Sequence, residues 1–307
     1  MSCPAAGQPL NLPSSRMIFF LFVPVLFWGM SYIAIKVGLR YLTPMELISA
    51  RLLLAAPTLY IILKIKKIPI DWRQDKLLYL LSGAVIFLHF YVMAAGMETV
   101  SATDTSWILT TAPIFIALLS WFFLKEPFGW IPTVGLIVAM TGVLLLMSDG
   151  DFHRFGWLKS INDWLVFSSN ITWAVYTIFA RIITRRHNSM AATFIMVMVP
   201  TILIAPWVLI RSGFARLAVM PFEGWVAVVF LGIFCLAIAF WLWTEGLSRH
   251  TAAKVGVYLY VEPLITTLGA MVLLNEKLTV VTLIGAAAIF GGVYLSSLEK
   301  KRPEAAL

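Results

Sequence analysis

An internal repeat constrains this chain more than any other feature of its sequence. Six glycine, alanine, proline and glutamate residues of the stretch Trp243–Tyr294 have an identical residue 150 positions earlier. The pairs are Gly96 with Gly246, Ala102 with Ala252, Pro113 with Pro263, Glu126 with Glu276, Gly135 with Gly285, and Gly142 with Gly292. The offset is close to half of the 307 residues, which predicts two copies of one structural unit.

The amino-acid composition favours a lipid bilayer as the environment of both copies. Hydrophobic residues make up 61% of the chain and charged residues 12%, whereas a soluble domain is about half apolar and about a quarter charged. The net charge of +8 does not indicate nucleic-acid binding, because basic residues in so apolar a chain hold cytoplasmic loops against anionic lipid. An all-α integral membrane protein is therefore predicted.

Ten segments are apolar enough to cross a bilayer, which requires about 20 predominantly apolar residues. They are Met17–Val37, Met45–Leu63, Leu77–Met97, Ala102–Leu124, Phe128–Ser148, Asp163–Ile183, Met190–Ile210, Phe222–Thr244, Lys254–Leu274 and Leu278–Leu298. The predicted units are a disordered cytoplasmic tail (1–16), a first five-helix repeat (17–148), a linker (149–160), a second five-helix repeat (161–298) and a cytoplasmic tail (299–307).

Lysine and arginine placement predicts the orientation. The stretch Lys64–Lys76 and the cluster at Lys300, Lys301 and Arg302 put both termini on the cytoplasmic side of the inner (plasma) membrane. Five spans per half is an odd number, so the second copy enters from the opposite side and the repeats are inverted. The first spans of the halves are related more weakly, Trp28–Lys36 resembling Trp173–Arg181.

These paired motifs resemble the drug/metabolite transporter superfamily, in its ten-span branch with two EamA-type repeats. The resemblance covers residues 17–298 and is carried by Gly96–Gly142 with Pro113 and Leu124-Lys125-Glu126, and by Gly246–Gly292 with Glu262-Pro263 and Leu274-Asn275-Glu276-Lys277. In overall character and aromatic content the chain looks most similar to amino-acid exporters of the YddG type. The resemblance implies alternating access and a central cavity lined by the first, third, fourth, sixth, eighth and ninth spans.

Polar and aromatic side chains of the third and fourth spans are candidate binding residues, because they gain nothing from facing lipid. His89 and Met93 share the face of the third span that ends at the repeated Gly96. Trp107 and Thr110 lie on one stripe of the fourth span. We expect these four residues to contact the substrate; the alternatives are a satisfied core histidine and a tryptophan of the interfacial belt.

The sixth and ninth spans add aromatic candidates. Trp173 and Tyr176 are spaced to stack against a flat or apolar side chain, and the ninth span carries Tyr258 and Tyr260. Tyr260 corresponds to Thr110 at the repeat offset. The predicted substrate site is therefore aromatic and nearly uncharged.

Pro113 and Pro263 are predicted to break the fourth and ninth spans. Proline removes a helix hydrogen bond and clashes with the carbonyl four residues back, here Leu109 and Leu259. A free carbonyl at this depth is tolerated only where protein or water satisfies it. We expect polar substrate groups at these breaks or, alternatively, bonds from threonine hydroxyls.

Glu262 and Arg51 are charged side chains that lie in the interior of predicted spans, away from the span ends. Glu262, next to Pro263, is expected to face the pathway as a coupling or gating residue together with the two prolines, or to be a buried acid bonded to backbone groups that Pro263 frees. Arg51 is expected to pair with Glu46 and to extend its charge to the interface.

Small residues recur in the fifth and tenth spans and predict close helix contacts, within the chain or between subunits, so a monomer and a homodimer both remain open. They are Gly135, Ala139, Ala287, Ala288, Gly291 and Gly292.

The sequence has no phosphate-binding loop, no cluster with metal-ligand spacing and no nucleophile elbow, so no cofactor, metal site or enzyme is predicted. The predicted function is a secondary transporter that exports small neutral amino acids, aromatic and other apolar ones, by alternating access. The alternatives are a proton-coupled exporter of drugs or other metabolites, which Glu262 keeps open, a membrane-embedded lipid enzyme, and a scaffold or receptor that transports nothing.

Overall fold

The computed structural model describes residues 14–126, 129–148, 160–212, 215–274 and 280–297, and all regular structure in these ranges is helical. The α-helices are α1 (Ser14–Leu39), α2 (Pro44–Ile65), α3 (Lys76–Gly96), α4 (Ala102–Ile108), α5 (Ala112–Leu124), α6 (Trp130–Ser148), α7 (Ile161–Thr184), α8 (Ser189–Ser212), α9 (Ala215–Ala218), α10 (Phe222–Val229), α11 (Ala239–Arg249), α12 (Ala252–Gly256), α13 (Glu262–Leu274) and α14 (Val280–Ser297). The predicted all-α fold is confirmed.

Seven helical stretches of the described residues are long and apolar enough to cross a membrane. They are Phe20–Leu39, Pro44–Ile65, Lys76–Gly96, Ala102–Leu124, Ile161–Thr184, Ser189–Arg211 and Phe222–Arg249. The other three predicted spans fall on α6, on α12 with α13, and on α14. Three of their predicted ends, Phe128, Leu278 and Leu298, lie outside the described residues.

Hydroxyl caps in the sequence decide where several helices begin. Thr43 and Ser160 form capping boxes with the acids three residues later, at the starts of α2 and α7. Ser101 and Thr251, which are related by the repeat, each accept a backbone N–H at the starts of α4 and α12. The corresponding helices α4 and α12 therefore start in the same way.

The predicted proline breaks are present in both repeats. A short 3₁₀ segment, Leu109–Thr111, separates α4 from α5, and Val257–Val261 separates α12 from α13. The carbonyls of Leu109 and Leu259 are nevertheless satisfied by the N–H groups of Ala112 and Glu262. The tighter turn supplies a backbone donor three residues on, so neither substrate groups nor threonine hydroxyls are needed there.

Repeated glycines join α6 to α14. A methyl group on Gly142 would lie 2.6 Å from the carbonyl oxygen of Gly285, and one on Gly292 would collide with Gly135 and Ala139. Only glycine permits so close an approach of two helix backbones. At these residues the small-residue faces form a contact within the chain rather than between subunits.

The halves pack on each other in corresponding ways. Helix α3 lies along α7, and α1 lies along the eighth span, which consists of α10, a π-helical segment (Phe230–Ile238) and α11. The repeat exchanges the first span with the sixth and the third with the eighth, so it exchanges these two contacts. Membrane helices gather around this interface, which is where repeat transporters place their substrate sites.

Candidate functional site

Seven buried rings meet where α1, α3, α7 and α11 converge. Their centroids are linked by distances of 5.1–5.7 Å, and each side chain is at most 7% exposed. We call this set the aromatic cluster; its members are Trp28, His89, Phe90, Trp173, Tyr176, Phe240 and Trp243.

Trp173 is the centre of the aromatic cluster. Its ring lies 5.1 Å from those of Trp28 and His89 and 5.3 Å from that of Tyr176. It also contacts Phe240 at 5.5 Å and Trp243 at 5.7 Å. Edge-to-face and tilted pairs of this kind are attractive beyond the area they bury. The structure thus brings together three of the predicted residues, His89, Trp173 and Tyr176.

Two of these ring pairs join a residue to its own copy in the other repeat. Phe90 and Phe240 are separated by the 150-residue offset and lie 5.7 Å apart. Trp28 and Trp173 occupy corresponding positions of the first and sixth spans and lie 5.1 Å apart. Equivalent residues can touch only near the axis that relates the repeats, so the aromatic cluster lies on that axis.

His89 is bonded to the sixth span as well as stacked on it. Its Nδ1 lies 3.0 Å from the carbonyl oxygen of Ser169. A carbonyl only accepts, so Nδ1 carries the proton and the ring orientation is fixed. The histidine is therefore partly satisfied, as the alternative interpretation required, and also forms one wall of the aromatic cluster.

Glu262 is buried beside the first span. Its Oε2 accepts a hydrogen bond from the hydroxyl of Tyr32 on α1, and its backbone carbonyl accepts one from Thr266. Thr266 also bonds the carbonyl of Gly29, which fastens α13 to α1. The carboxylate partner is thus a phenol from the other repeat rather than a backbone group that Pro263 frees.

Glu126 ties three helices together at one end of the molecule. Its Oε1 lies 2.9 Å from Nε of Arg181 and 2.6 Å from Nη2 of Arg185, both near the end of α7. Its Oε2 accepts from Ser120 on α5 and, at 2.8 Å, from the N–H of Ala252 at the start of α12. We call this arrangement the Glu126 junction; the side chain of Glu126 is 4% exposed.

A cation-to-carbonyl bond in this region has a counterpart at the opposite end. Arg181 donates to the carbonyl of Leu247, at the end of the eighth span. Lys36 donates to the carbonyl of Met97, at the end of the third span, with a length of 2.7 Å. Met97 and Leu247 are related by the repeat offset, and Lys36 corresponds to Arg181. Glu276, the copy of Glu126, lies outside the described residues.

A family model decides the identity of this helical repeat. The model of the EamA-like transporter family matches residues 15–148 and 160–298, nearly the whole chain. The chain belongs to the EamA-like transporter family. Both matched segments contain the motifs through which the halves repeat each other, and the drug/metabolite transporter assignment is thereby confirmed at the family level.

Known relatives of this EamA-like transporter agree with that assignment. An uncharacterized transporter of Archaeoglobus fulgidus is 30% identical over 292 residues, which cover 94% of this chain and 99% of the relative. The uncharacterized transporter YvbV of Bacillus subtilis is 24% identical over 302 residues, 96% of each chain. A crystal structure aligns with a TM-score of 0.72 over 92% of this chain and 97% of its own, and its 19% identity shows the fold alone. The protein is a multi-pass membrane transporter of small molecules.

Among the described residues, no ring contact joins the predicted residues of the fourth span of this EamA-like transporter to the aromatic cluster. The indole Nε1 of Trp107 is buried and has no hydrogen-bond partner among the described residues. Thr110 is buried, and its hydroxyl donates to the carbonyl of Trp107 at 2.7 Å. That bond occupies the hydroxyl proton, so Thr110 offers less to a ligand than the sequence predicts.

The other predicted residues are also buried. Met93 is 6% exposed, one turn after His89 on α3, and it corresponds at the repeat offset to Trp243 of the aromatic cluster. Tyr258 and Tyr260 are 4% and 0% exposed in the 3₁₀ segment, and the hydroxyl of Tyr260 has no hydrogen-bond partner within the described part of the chain.

Asp75 connects two loops outside the membrane, at the same end as the Glu126 junction. Its carboxylate bonds Nε2 of His187 and Nη1 of Arg186, each at 3.0 Å. The hydrogen bond from His187, aided by the positive charge of Arg186, holds the pKa of Asp75 below its usual range. The loop between α2 and α3 is thereby joined to the loop between α7 and α8.

Several residues of the site were missed by sequence reasoning. Phe90 and Phe240 are two of 21 phenylalanines, and only the repeat offset between them could have distinguished the pair. Glu126 belongs to a repeated motif, but its partner Arg181 lies 55 residues away in the other repeat. An acid repeated at the end of both fourth and ninth spans was the available signal for a structural role.

Proposed function

We propose that this EamA-like transporter exports small neutral amino acids, with aromatic and other apolar ones preferred, by alternating access across the inner membrane. The observation that carries the proposal is the position of the aromatic cluster on the axis that relates the repeats. In repeat transporters the substrate binds at the repeat interface near the middle of the bilayer. Aromatic walls favour a flat or apolar side chain because stacked and edge contacts add to the hydrophobic gain.

Substrate-contacting roles are proposed for residues from both halves. His89, Trp173 and Tyr176 belong to the aromatic cluster, where their rings are already in contact. The unsatisfied polar atoms of Tyr260 and Trp107 can donate to polar groups of a bound amino acid. Met93 and Tyr258 are the other proposed contact residues, and Thr110 is proposed to contribute its methyl group.

Counterflow in proteoliposomes tests the proposal. Vesicles loaded with unlabelled phenylalanine are expected to accumulate labelled phenylalanine from outside, while empty vesicles do not. Leucine should compete with it, and lysine should not. Failure of phenylalanine and leucine to exchange above empty vesicles, alongside exchange of a lipophilic cation, would remove the amino-acid assignment.

The burial of Glu262 favours a second candidate, a proton-coupled exporter of drugs or other metabolites. A buried acid bonded to Tyr32 can take up and release a proton as the helices move. This candidate requires uptake of a lipophilic cation driven by a pH gradient and abolished by Glu262→Gln. Phenylalanine counterflow that is independent of a pH gradient and survives Glu262→Gln would exclude it.

A further inference from the structure

Arg51 places a buried positive charge in the second membrane span, helix α2. It lies seven residues after Pro44, the first residue of α2, which places it about 10 Å along the helix. Its side chain is 5% exposed. The charge is therefore not delivered to the interface in the way the sequence predicted.

No carboxylate of the described residues forms a salt bridge with Arg51. Glu46, its expected partner, instead accepts from Thr43 and lies 3.4 Å from Nη1 of Arg216. Glu262 is bonded to Tyr32. Nε of Arg51 has no hydrogen-bond partner in this part of the chain. The predicted pair of Arg51 with Glu46 is thus absent from the described structure.

Arg181 is a second buried arginine, and it shows how a buried cation with a structural role is paired in this fold. Arg181 is 7% exposed, comparable to Arg51, but it binds the carboxylate of Glu126 and the carbonyl of Leu247. Burying an ion without a counter-charge is unfavourable, because the attraction that would offset desolvation is missing. Support of the fold therefore does not explain why the charge of Arg51 is buried.

The guanidinium of Arg51 lies at the edge of the aromatic cluster. Its Cζ is 4.1 Å from the ring centroid of Phe90, which in turn contacts His89 and Phe240. A guanidinium stacked on a ring keeps its N–H groups in its own plane, where they remain available to an acceptor. A ligand held by the rings would thus have a fixed cation beside it.

The π-helical segment approaches Arg51 from the eighth span. A methyl group on Gly232 would lie 3.0 Å from the backbone oxygen of Arg51, so the two backbones nearly touch. Such π-helical turns occur frequently at functional sites, because they redirect side chains without ending the helix. Arg51 is therefore enclosed between this segment and the aromatic cluster.

We propose that Arg51 binds the carboxylate of the transported molecule while the aromatic cluster holds its side chain. The inference rests on the proposed transport of amino acids and names the group through which they are recognised. The planar fork of a guanidinium matches a carboxylate with two parallel hydrogen bonds. A single cation balances a single carboxylate, and a phosphate dianion would leave charge unmatched.

Binding of matched ligands to the full-length protein in detergent tests this assignment. Phenylalanine is compared with phenethylamine, which lacks only the carboxylate, and leucine with isopentylamine; tryptophan fluorescence reports the half-saturating concentration. The wild type should bind each acid at least about tenfold more tightly than its amine. Arg51→Met should reduce this preference to within about twofold, because it weakens the binding of the acid and leaves that of the amine unchanged. Arg51→Lys should retain part of the preference.

Arg211→Met is the matched control, since Arg211 also lies over a ring, that of Trp207, but on the exposed end of α8. It should keep the wild-type preference.

The carboxylate site is wrong if the wild type binds acid and amine equally, if no acid binds, or if folded Arg51→Met retains the preference. Should Arg51→Met fail to fold, the wild-type and Arg51→Lys measurements decide. A preference that depends on Arg51 without phenylalanine counterflow would support the carboxylate site and refute the transport proposal.

Discussion

Trp173 has more ring contacts than any other described residue of the aromatic cluster. Its five ring neighbours come from α1, α3, α7 and α11, so one side chain joins both repeats. Such a residue affects both the shape of a binding surface and the packing around it. A substitution that keeps an aromatic ring is therefore needed to separate the two effects.

Trp173→Phe is expected to lower phenylalanine exchange about tenfold while the protein still reaches the membrane in normal amounts. The smaller ring loses at least one aromatic contact, and each contributes about 0.5–1.5 kcal/mol. The measurement is initial counterflow in proteoliposomes containing equal amounts of protein. Trp121→Phe is the control, because Trp121 is 62% exposed on α5. Equal rates for Trp173→Phe and the wild type would place Trp173 outside the pathway.

At the scale of single residues, the sequence predicted that aromatic side chains form the site, but it did not predict all of the contacts between side chains. The place of Trp173 and Tyr176 in the site was predictable, because their helical spacing puts both rings on one face of an apolar span. The unpaired state of Arg51 was not predictable, since Glu46 precedes it at a spacing that allows a pair. Thr43 and Arg216 take that acid instead, and Arg216 is 170 residues away.

At the scale of helices, the Glu126 junction holds α5, α7 and α12 at one end of the molecule. Lys125, with a φ of 51°, ends α5 in the left-handed conformation and allows Glu126 to fold back toward Ser120. The junction joins the fourth and ninth spans to the sixth. Motion of these spans relative to one another would have to break it.

Glu126→Ala is expected to lower the free energy of unfolding by about 3–5 kcal/mol, because it removes the carboxylate that two arginines share in a buried site. Combining Glu126→Leu with Arg181→Met should restore much of the loss. Unfolding in SDS, followed by tryptophan fluorescence, measures both effects.

Arg186→Gln is the control for the Glu126 variants. It breaks only the pair with Asp75, in which the arginine side chain is 63% exposed. A pair exposed to this degree should contribute at most about 1 kcal/mol. A loss for Glu126→Ala no larger than that of Arg186→Gln would mean that the junction contributes little to the fold.

Helix breaks were predictable, whereas their consequences were not. Proline at the same position of both copies indicated a break, and the 3₁₀ segments occur there. The sequence does not reveal how a freed carbonyl is satisfied, because a small change of turn geometry supplies the N–H of Ala112 or Glu262 instead of a ligand.

At the scale of the whole molecule, the two repeats explain the architecture. The offset of 150 residues appears in the sequence, in the caps at Ser101 and Thr251, and in the contact of Phe90 with Phe240. Such a pattern is visible in a single sequence because both copies are in the same chain. The relative placement of the copies was not visible, since it depends on contacts between residues far apart in sequence.

The orientation of the chain is predicted to place the loop between α2 and α3 in the cytoplasm and the end of α3 outside. Cysteine at position 66 (Lys66→Cys) should react with a membrane-impermeant maleimide only in inverted vesicles, and Glu98→Cys only in intact cells. Both positions are exposed, so each should react fully from its own side. Replacing Cys3 and Cys235 with serine removes the native thiols. Labelling of both positions from one side would contradict the orientation.

Rings that touch their own copies at the axis have a consequence for energetics. A guest held between Phe90 and Phe240, or between Trp28 and Trp173, meets similar chemistry whether the protein opens to one face or the other. Under the proposed amino-acid transport, similar affinity in both states would suit a guest that runs down its concentration gradient without a coupled ion. Net flow would then follow supply, and a cell that overproduces the compound would lose the surplus through the proposed route.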